Sequence, residues 1–88
     1  MQVATAQVNN QIGIRARAAT IFVSKASEFE ASVRIKLNEK LVNGKSLLGV
    51  LSANVLGGST VTLYFDGPDE EKAKSEITRL VENGFENY

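Results

Sequence analysis

The chain reads Gly13-Ile14-Arg15-Ala16-Arg17-Ala18-Ala19-Thr20 at the point where a polar turn leads into an alanine-rich helix pattern. The first backbone N–H groups of a helix have no internal partner and carry the positive end of its dipole, so Ser, Thr, Asp or Asn normally caps them. None of these residue types directly precedes Ala16. An uncapped helix start beside Arg15 and Arg17 predicts a site for an anion or carboxylate, because N–H donors and positive charge converge there. Two solvated arginines on a loop are the alternative interpretation.

Hydrophobic periodicity on both sides of this stretch divides the chain into strands and helices. Alternation with period two is typical of a half-buried strand, and apolar residues at i, i+3, i+4 and i+7 are typical of an amphipathic helix. Strands are predicted over Gln2–Val8, Ser32–Leu37, Lys40–Asn43 and Thr60–Phe65, and helices over Ala16–Ser27, Leu47–Ser52 and from Pro68 to a stop at Gly84.

The order of these elements predicts the fold class. No internal repeat, linker or low-complexity run interrupts the order β-α-β-β-α-β-α, so residues 1–88 are expected to form one α+β domain. Four mostly antiparallel strands should carry the helices on one face.

Two connections carry more detailed expectations. Asn38-Glu39 joins the second and third strands, and Glu39 suits a type I′ turn poorly because that turn requires positive φ at both central residues. We therefore expect a looser turn there. Pro68 is expected in the first turn of the last helix, with Asp69-Glu70-Glu71 complementing the helix dipole.

Composition excludes several function classes. Ten basic and ten acidic residues cancel, so no overall charge suggests contact with nucleic acid or an anionic membrane. The chain has no cysteine and no histidine, which excludes disulfides, thiolate nucleophiles and imidazole chemistry and would leave a metal only oxygen ligands. No calcium-loop spacing is present, and Gly57-Gly58 lacks the lysine and flanking glycines of a phosphate-binding loop.

Neither a signal sequence nor an apolar run of membrane-spanning length is visible in the chain. We therefore expect a soluble cytoplasmic protein without a metal or cofactor.

A second notable segment is Gly44-Lys45-Ser46 and the short helix that follows it. Ser46 stands at the position of an N-cap, and the helix is apolar on more than one face. One face can enter the core while the other leaves leucines on the surface beside the capping hydroxyl, as in a partner-docking site. A short, fully covered core helix is the alternative.

Together these segments resemble HPr, the phosphocarrier family of the bacterial sugar phosphotransferase system. The motifs that carry the resemblance are Gly13-Ile14-x-Ala16-Arg17 before an alanine-rich helix, Val42-Asn43-x-Lys45-Ser46-Leu47-Leu48-Gly49-Val50-Leu51-Ser52, and Gly58 before a strand. The resemblance covers essentially the whole chain. It implies an open-faced β-sandwich, in which a four-stranded antiparallel sheet is covered on one face by three helices.

The first motif departs from the family pattern at two positions. HPr proteins take phosphate from enzyme I on a histidine, and Arg15 occupies that position here. A guanidinium offers no lone pair that could attack phosphorus, so transfer through Arg15 is not expected. Ala18 replaces the family's usual proline and returns a backbone N–H to the first helical turn.

The serine motif matches the family closely. In HPr proteins of Gram-positive type, and in the related catabolite-repression protein Crh, which also lacks the histidine, a bifunctional kinase/phosphorylase phosphorylates the serine that matches Ser46. The phosphorylated protein then binds a LacI-type repressor. A phosphate at a helix N-cap meets N–H donors and the positive dipole end, so it should be tolerated without refolding.

The resemblance therefore implies a non-enzymatic regulatory module that is phosphorylated at Ser46. Its expected partners are phosphotransferase-system proteins, the serine kinase/phosphorylase and a LacI-type repressor, with no direct contact to nucleic acid or membrane. Anion or partner binding is expected at Arg15, Ala16, Arg17, Ala18, Thr20, Lys45, Leu47, Leu48 and Leu51.

Three alternatives remain open. The chain could be a phosphocarrier whose histidine was replaced by Arg15, or a module that binds an anion or a partner's phosphorylated residue constitutively. It could also self-associate, because relatives can exchange their first strand, which leaves a monomer or a strand-swapped dimer.

Overall fold

The computed structural model describes residues 1–10 and 13–85 of the chain. Within these residues, the predicted order of four strands and three helices is confirmed. The elements are β1 (Gln2–Gln7), α1 (Ala16–Ala26), β2 (Ser32–Leu37), β3 (Lys40–Asn43), α2 (Leu47–Ser52), β4 (Thr60–Asp66) and α3 (Glu70–Glu82).

The four strands form one antiparallel sheet in the order β1-β4-β2-β3. In β4 the side chains of Val61, Leu63 and Phe65 are buried and alternate with more exposed neighbours, as period-two patterning requires. The buried faces of the strands and helices share one hydrophobic core. The helices contribute Phe22, Val50 and Ile77 to this core, and all three side chains are fully buried. Burying each of these side chains contributes roughly 1.5–3 kcal/mol. The architecture is the expected open-faced α+β sandwich.

The hairpin between β2 and β3 is tighter than the sequence suggested. Leu37 pairs with Lys40, which leaves only Asn38 and Glu39 in the turn. The expectation of a looser turn was therefore wrong. Of the two turn residues, only Asn38 has a positive φ, at 55°. Asparagine tolerates this region because its short side chain forms local hydrogen bonds. The turn therefore closes without demanding positive φ of Glu39.

The start of the last helix also differs from the expectation. α3 begins at Glu70 with Asp69 as its N-cap residue, so Pro68 lies before the helix rather than in its first turn. The chain is still turning at Gly67, whose φ is 156° and whose N–H donates to the Glu70 carboxylate at 3.1 Å. Glu70 and Glu71 do lie in the first turn, as predicted.

Asp69 cross-links distant parts of the chain instead of capping its own helix. Its carboxylate accepts the backbone N–H groups of Glu30 at 3.0 Å and Ala31 at 2.8 Å, just before β2. These bonds favour the charged form, and that from Glu30 contributes most to a lowered pKa of the Asp69 carboxyl. The apolar stripe of α3 is buried as predicted, at Ala73, Ile77, Leu80 and Val81.

Candidate functional site

The N-terminus of α1 is held in place through Gly13 and Ile14. The N–H of Gly13 donates to the Asn10 side-chain oxygen at 2.5 Å, and the N–H of Ile14 donates to the Val55 carbonyl at 2.9 Å. Gly13 has a φ of 84°, and a Cβ added there would lie only 2.1 Å from the Val55 oxygen. Only glycine fits this contact, so the segment after α2 determines where Arg15 and the helix start lie.

The start of α1 lacks a side-chain cap, as predicted. Arg15 is the N-cap residue, with an extended backbone at φ −109° and ψ −166°, and it makes no capping hydrogen bond. Arg15, Ala16 and Arg17 are exposed, Ala18 is half-buried, and the first turn contains no acidic residue. Cationic side chains and the first backbone N–H groups therefore occupy one corner of the surface.

Thr20 lies one turn further along α1 and is exposed. Its hydroxyl donates to the Ala16 carbonyl at 2.9 Å, which engages the only donor of this side chain within its own helix. A partner at this corner could therefore donate a hydrogen bond to the Thr20 hydroxyl oxygen but could not accept one from it.

The start of α2 is capped by Ser46, which confirms the N-cap expected there. The Ser46 Oγ accepts the N–H of Gly49 at 3.1 Å, and the serine backbone is extended at φ −108° and ψ 117°. A Cβ on Gly49 would approach the Ser46 Oγ and the Asn43 carbonyl oxygen at 3.3 Å each. The small residue at position 49 therefore keeps space beside the serine hydroxyl.

Lys45 is tied into the fold next to this serine. Its ammonium donates to the Phe29 carbonyl at 2.6 Å, and its backbone N–H donates to the Asn43 side-chain oxygen at 2.9 Å. The Lys45 ammonium, which was expected to bind an anion or a partner, therefore already contacts the connection between α1 and β2.

The apolar side chains of α2 divide between core and surface, so the helix is not fully covered. Val50 is fully buried, whereas Leu48 is 80% exposed, Leu47 42% and Leu51 38%. We call Leu47, Leu48 and Leu51 the leucine patch. Its members occupy the helix directly after Ser46, so a chemical change at the serine occurs at the edge of this apolar surface.

Leu56 was missed by the sequence analysis. It is 52% exposed, and its backbone carbon would lie 2.8 Å from a Cβ on Gly13, so it borders the α1 corner. Its position in the sequence could have indicated this exposure. Leu56 lies between α2 and β4, so it belongs neither to the apolar stripe of a helix nor to the alternating pattern of a strand.

The two helix starts lie at opposite ends of α2. Ser46 precedes the helix, whereas Val55, which binds Ile14, follows it. Six helical residues span about 9 Å, and α1 packs against α2, so both starts and the leucine patch belong to one helical layer.

In the part of the chain that the structure describes, no cluster of three metal-ligating side chains occurs. No helix there has the length and apolarity that a membrane span requires.

Comparisons with known proteins agree with this geometry. A family model described as the PTS HPr component phosphorylation site matches residues 3–83. The phosphocarrier protein HPr of Treponema pallidum is 40% identical over 86 residues, which is 98% of each chain. The crystal structure of HPr-C-His from Thermoanaerobacter tengcongensis has a TM-score of 0.94 at 35% identity and covers 100% of this chain and 99% of that one.

A second solved structure is Crh, the Bacillus subtilis catabolite repression protein, described as an intertwined dimer with a swapping domain. It has a TM-score of 0.77 at 35% identity and covers 89% of this chain and 90% of that one. With matches to both kinds of relative over most of its length, the chain belongs to the HPr family of the bacterial phosphotransferase system.

Proposed function

We propose that this chain is a non-enzymatic regulatory member of the HPr family, switched by phosphorylation of Ser46 and unable to carry phosphate at position 15. The observation that carries the proposal is the contrast between the two helix starts. Ser46 presents a hydroxyl at the N-cap of α2, whereas Arg15 stands at the N-cap of α1.

Phosphoryl transfer through position 15 requires a lone pair that can attack phosphorus. A guanidinium has five N–H donors and no acceptor, so Arg15 can bind a phosphate but cannot take it over. The chain contains no histidine that could replace it. The corner at α1 can therefore hold an anion or a partner's acidic group without covalent chemistry.

Phosphorylation of Ser46 fits the local structure. A phosphate on the serine oxygen would remain at the start of α2, where the Gly49 N–H donates and the helix dipole favours negative charge. The nearby Lys45 ammonium already donates to the Phe29 carbonyl. The phosphate itself would add up to about two negative charges at the edge of the leucine patch.

This added charge is the basis of the proposed switch. A partner that buries the leucine patch is disfavoured by a phosphate at its rim, and a partner with arginines beside an apolar surface is favoured. The partners that fit this scheme are phosphotransferase-system proteins, a serine kinase/phosphorylase and a LacI-type repressor in carbon catabolite control. The proposed location is the cytoplasm.

The experiment is phosphorylation of the chain by ATP and the HPr kinase, followed by mapping of the modified residue. We expect one phosphate on Ser46 and no labelling of Ser46→Ala. Ser52→Ala is the matched control, because Ser52 is an exposed serine on the same helix and its hydroxyl donates to the Gly49 carbonyl at 2.7 Å. Absence of label from the unaltered chain, or label that persists in Ser46→Ala, would overturn the proposal.

A further inference from the structure

The face of the sheet that points away from the helices contains a cavity. Its volume is about 230 Å³, and its walls are formed by Met1, Ser32, Arg34, Leu41, Tyr64 and Asp66. We call it the open-face pocket. Ser32 and Arg34 alternate along β2 with the buried residues Val33 and Ile35, which places the pocket on the opposite side from both helix starts.

Pairing between β2 and β4 arranges the polar groups of the pocket. Arg34 lies opposite Tyr64, and Ser32 lies opposite Asp66. Directly opposite residues have Cβ atoms about 4.5–5.5 Å apart. One end of the pocket therefore combines a cation with an aromatic ring, and the other combines a carboxylate with a hydroxyl.

The two charged groups of the pocket do not neutralise each other. Arg34 and Asp66 are diagonal neighbours, and such residues lie about 7–8 Å apart. Among residues 1–10 and 13–85, Arg34 forms no ion pair. The Asp66 Oδ1 forms a long ion pair with the amino group of Met1, at 3.9 Å, and that amino group lies closer to Glu70, at 3.0 Å. The Arg34 guanidinium and the second oxygen of the Asp66 carboxylate, whose side chain is 64% exposed, thus border one small cavity and are accessible to a ligand.

The remaining walls are apolar. Leu41 is 50% exposed, and the Met1 side chain borders the same cavity. With the ring of the half-buried Tyr64, Leu41 offers an apolar surface beside the guanidinium. A ligand that satisfies every wall needs a carboxylate, a cationic group and an apolar side group.

We propose that the open-face pocket binds a small zwitterion with an apolar side group, which is the chemistry of a free aromatic or branched α-amino acid. Its carboxylate pairs with Arg34, its ammonium pairs with Asp66, and its side group packs against Tyr64 and Leu41. The cavity lies below the roughly 300–1,000 Å³ of drug-sized ligand sites, so only a small molecule fits. This site is independent of the proposed switch at Ser46.

A second copy of the chain fits this face less well. The four strands, spaced about 4.8 Å apart and four to seven residues long at about 3.4 Å each, cover a flat area of about 400 Å². A stable interface needs about 800 Å² from each partner. The area of the face therefore favours a small ligand.

The test is a titration of the ¹⁵N-labelled chain with L-phenylalanine, followed by NMR. We expect saturable shifts at the amides of Ser32, Arg34 and Tyr64 and none in the leucine patch. 3-Phenylpropionate lacks the ammonium and phenethylamine lacks the carboxylate, so each should bind about tenfold more weakly. Equal binding of all three probes, or no saturable shift with phenylalanine, would overturn the proposal.

A pair of variants tests the role assigned to the guanidinium. Arg34→Gln should weaken phenylalanine binding about tenfold, because one charge-assisted contact is lost. Lys36→Gln is the matched control, since Lys36 is an exposed cation on the same face of β2 and lies outside the pocket. Equal weakening by both variants, or shifts on this face that depend on protein concentration alone, would contradict the assignment.

Discussion

The starts of α1 and α2 both follow an extended N-cap residue and differ in the side chain at that position. Arg15 and Ser46 have φ angles of −109° and −108°, and both are extended. The serine hydroxyl accepts the Gly49 N–H, whereas the arginine has no acceptor to offer. A hydroxyl both caps a helix and can receive a phosphate, and a guanidinium can do neither. Under the proposed function, the N-cap side chain therefore decides whether a helix start can be phosphorylated, as at Ser46, or can only attract an anion, as at Arg15.

The largest expected effect concerns the contact that positions the α1 start. Gly13→Ala should lower the free energy of unfolding by about 3 kcal/mol or more, because the new Cβ would meet the Val55 carbonyl oxygen. Gly58→Ala is the control, since Gly58 has the same φ of 84° and open space around its Cβ position. It should cost about 1 kcal/mol of backbone strain. Equal losses in urea unfolding would show that the contact to Val55 is unimportant.

The second prediction removes the cap of α2. Ser46→Ala should lower the free energy of unfolding by about 1 kcal/mol, because the Gly49 N–H loses its acceptor. Ser46→Asp should restore most of this loss, since aspartate also caps and its charge suits the helix dipole. Urea unfolding of the three proteins provides the measurement. An aspartate variant as unstable as the alanine variant would argue against tolerance of a phosphate at this position.

Replacing Arg15 by serine would give α1 the side-chain cap that it lacks. Arg15→Ser should raise the free energy of unfolding by about 0.5–1 kcal/mol relative to Arg15→Ala, because the serine oxygen can accept the N–H of Ala18. The alanine variant removes the same guanidinium without adding an acceptor, so the difference isolates the cap. Identical unfolding midpoints for the two variants would show that the α1 start does not accept a side-chain cap.

The smallest effect extends the comparison to the third helix start. The hydrogen bonds from Glu30 and Ala31 lower the pKa of the Asp69 carboxyl in the folded chain. Its contribution to stability is therefore present above the unfolded-state pKa and is lost as the pH falls through the folded-state value. The stability difference between the unaltered chain and Asp69→Asn should be constant above about pH 5 and shrink as the pH falls below the ordinary aspartate pKa of 3.8. A difference that is independent of pH would contradict the assignment of these bonds to the charged carboxylate.

Local patterns were sufficient to predict most of the fold. Alternation in β2 and β4, the stripes of α1 and α3, and the Ser46 cap depend on residues close in sequence, where period and spacing carry the information. The apolar residues of α2 outnumber the positions that one buried face can hold, which suggested an exposed leucine surface but left a fully covered helix as the alternative.

The features that sequence reasoning missed depend on contacts between distant residues. The Asp69 carboxylate accepts the N–H groups of Glu30 and Ala31, which lie 39 and 38 positions away, so this contact could not be predicted from neighbouring residues. The engagement of Lys45 by the Phe29 carbonyl is hidden for the same reason. At Asn38 the error was local, since the tolerance of asparagine for positive φ was given too little weight.

The proposed function requires that covalent phosphate chemistry is absent from the α1 start because of the residue at position 15. It is tested most directly by incubating the unaltered chain and Arg15→His with enzyme I and radiolabelled phosphoenolpyruvate. We predict no label on the unaltered chain and measurable label on Arg15→His, because the variant restores a nitrogen lone pair to a helix start that Gly13 and Val55 hold in place. Label on the unaltered chain would contradict the proposed function.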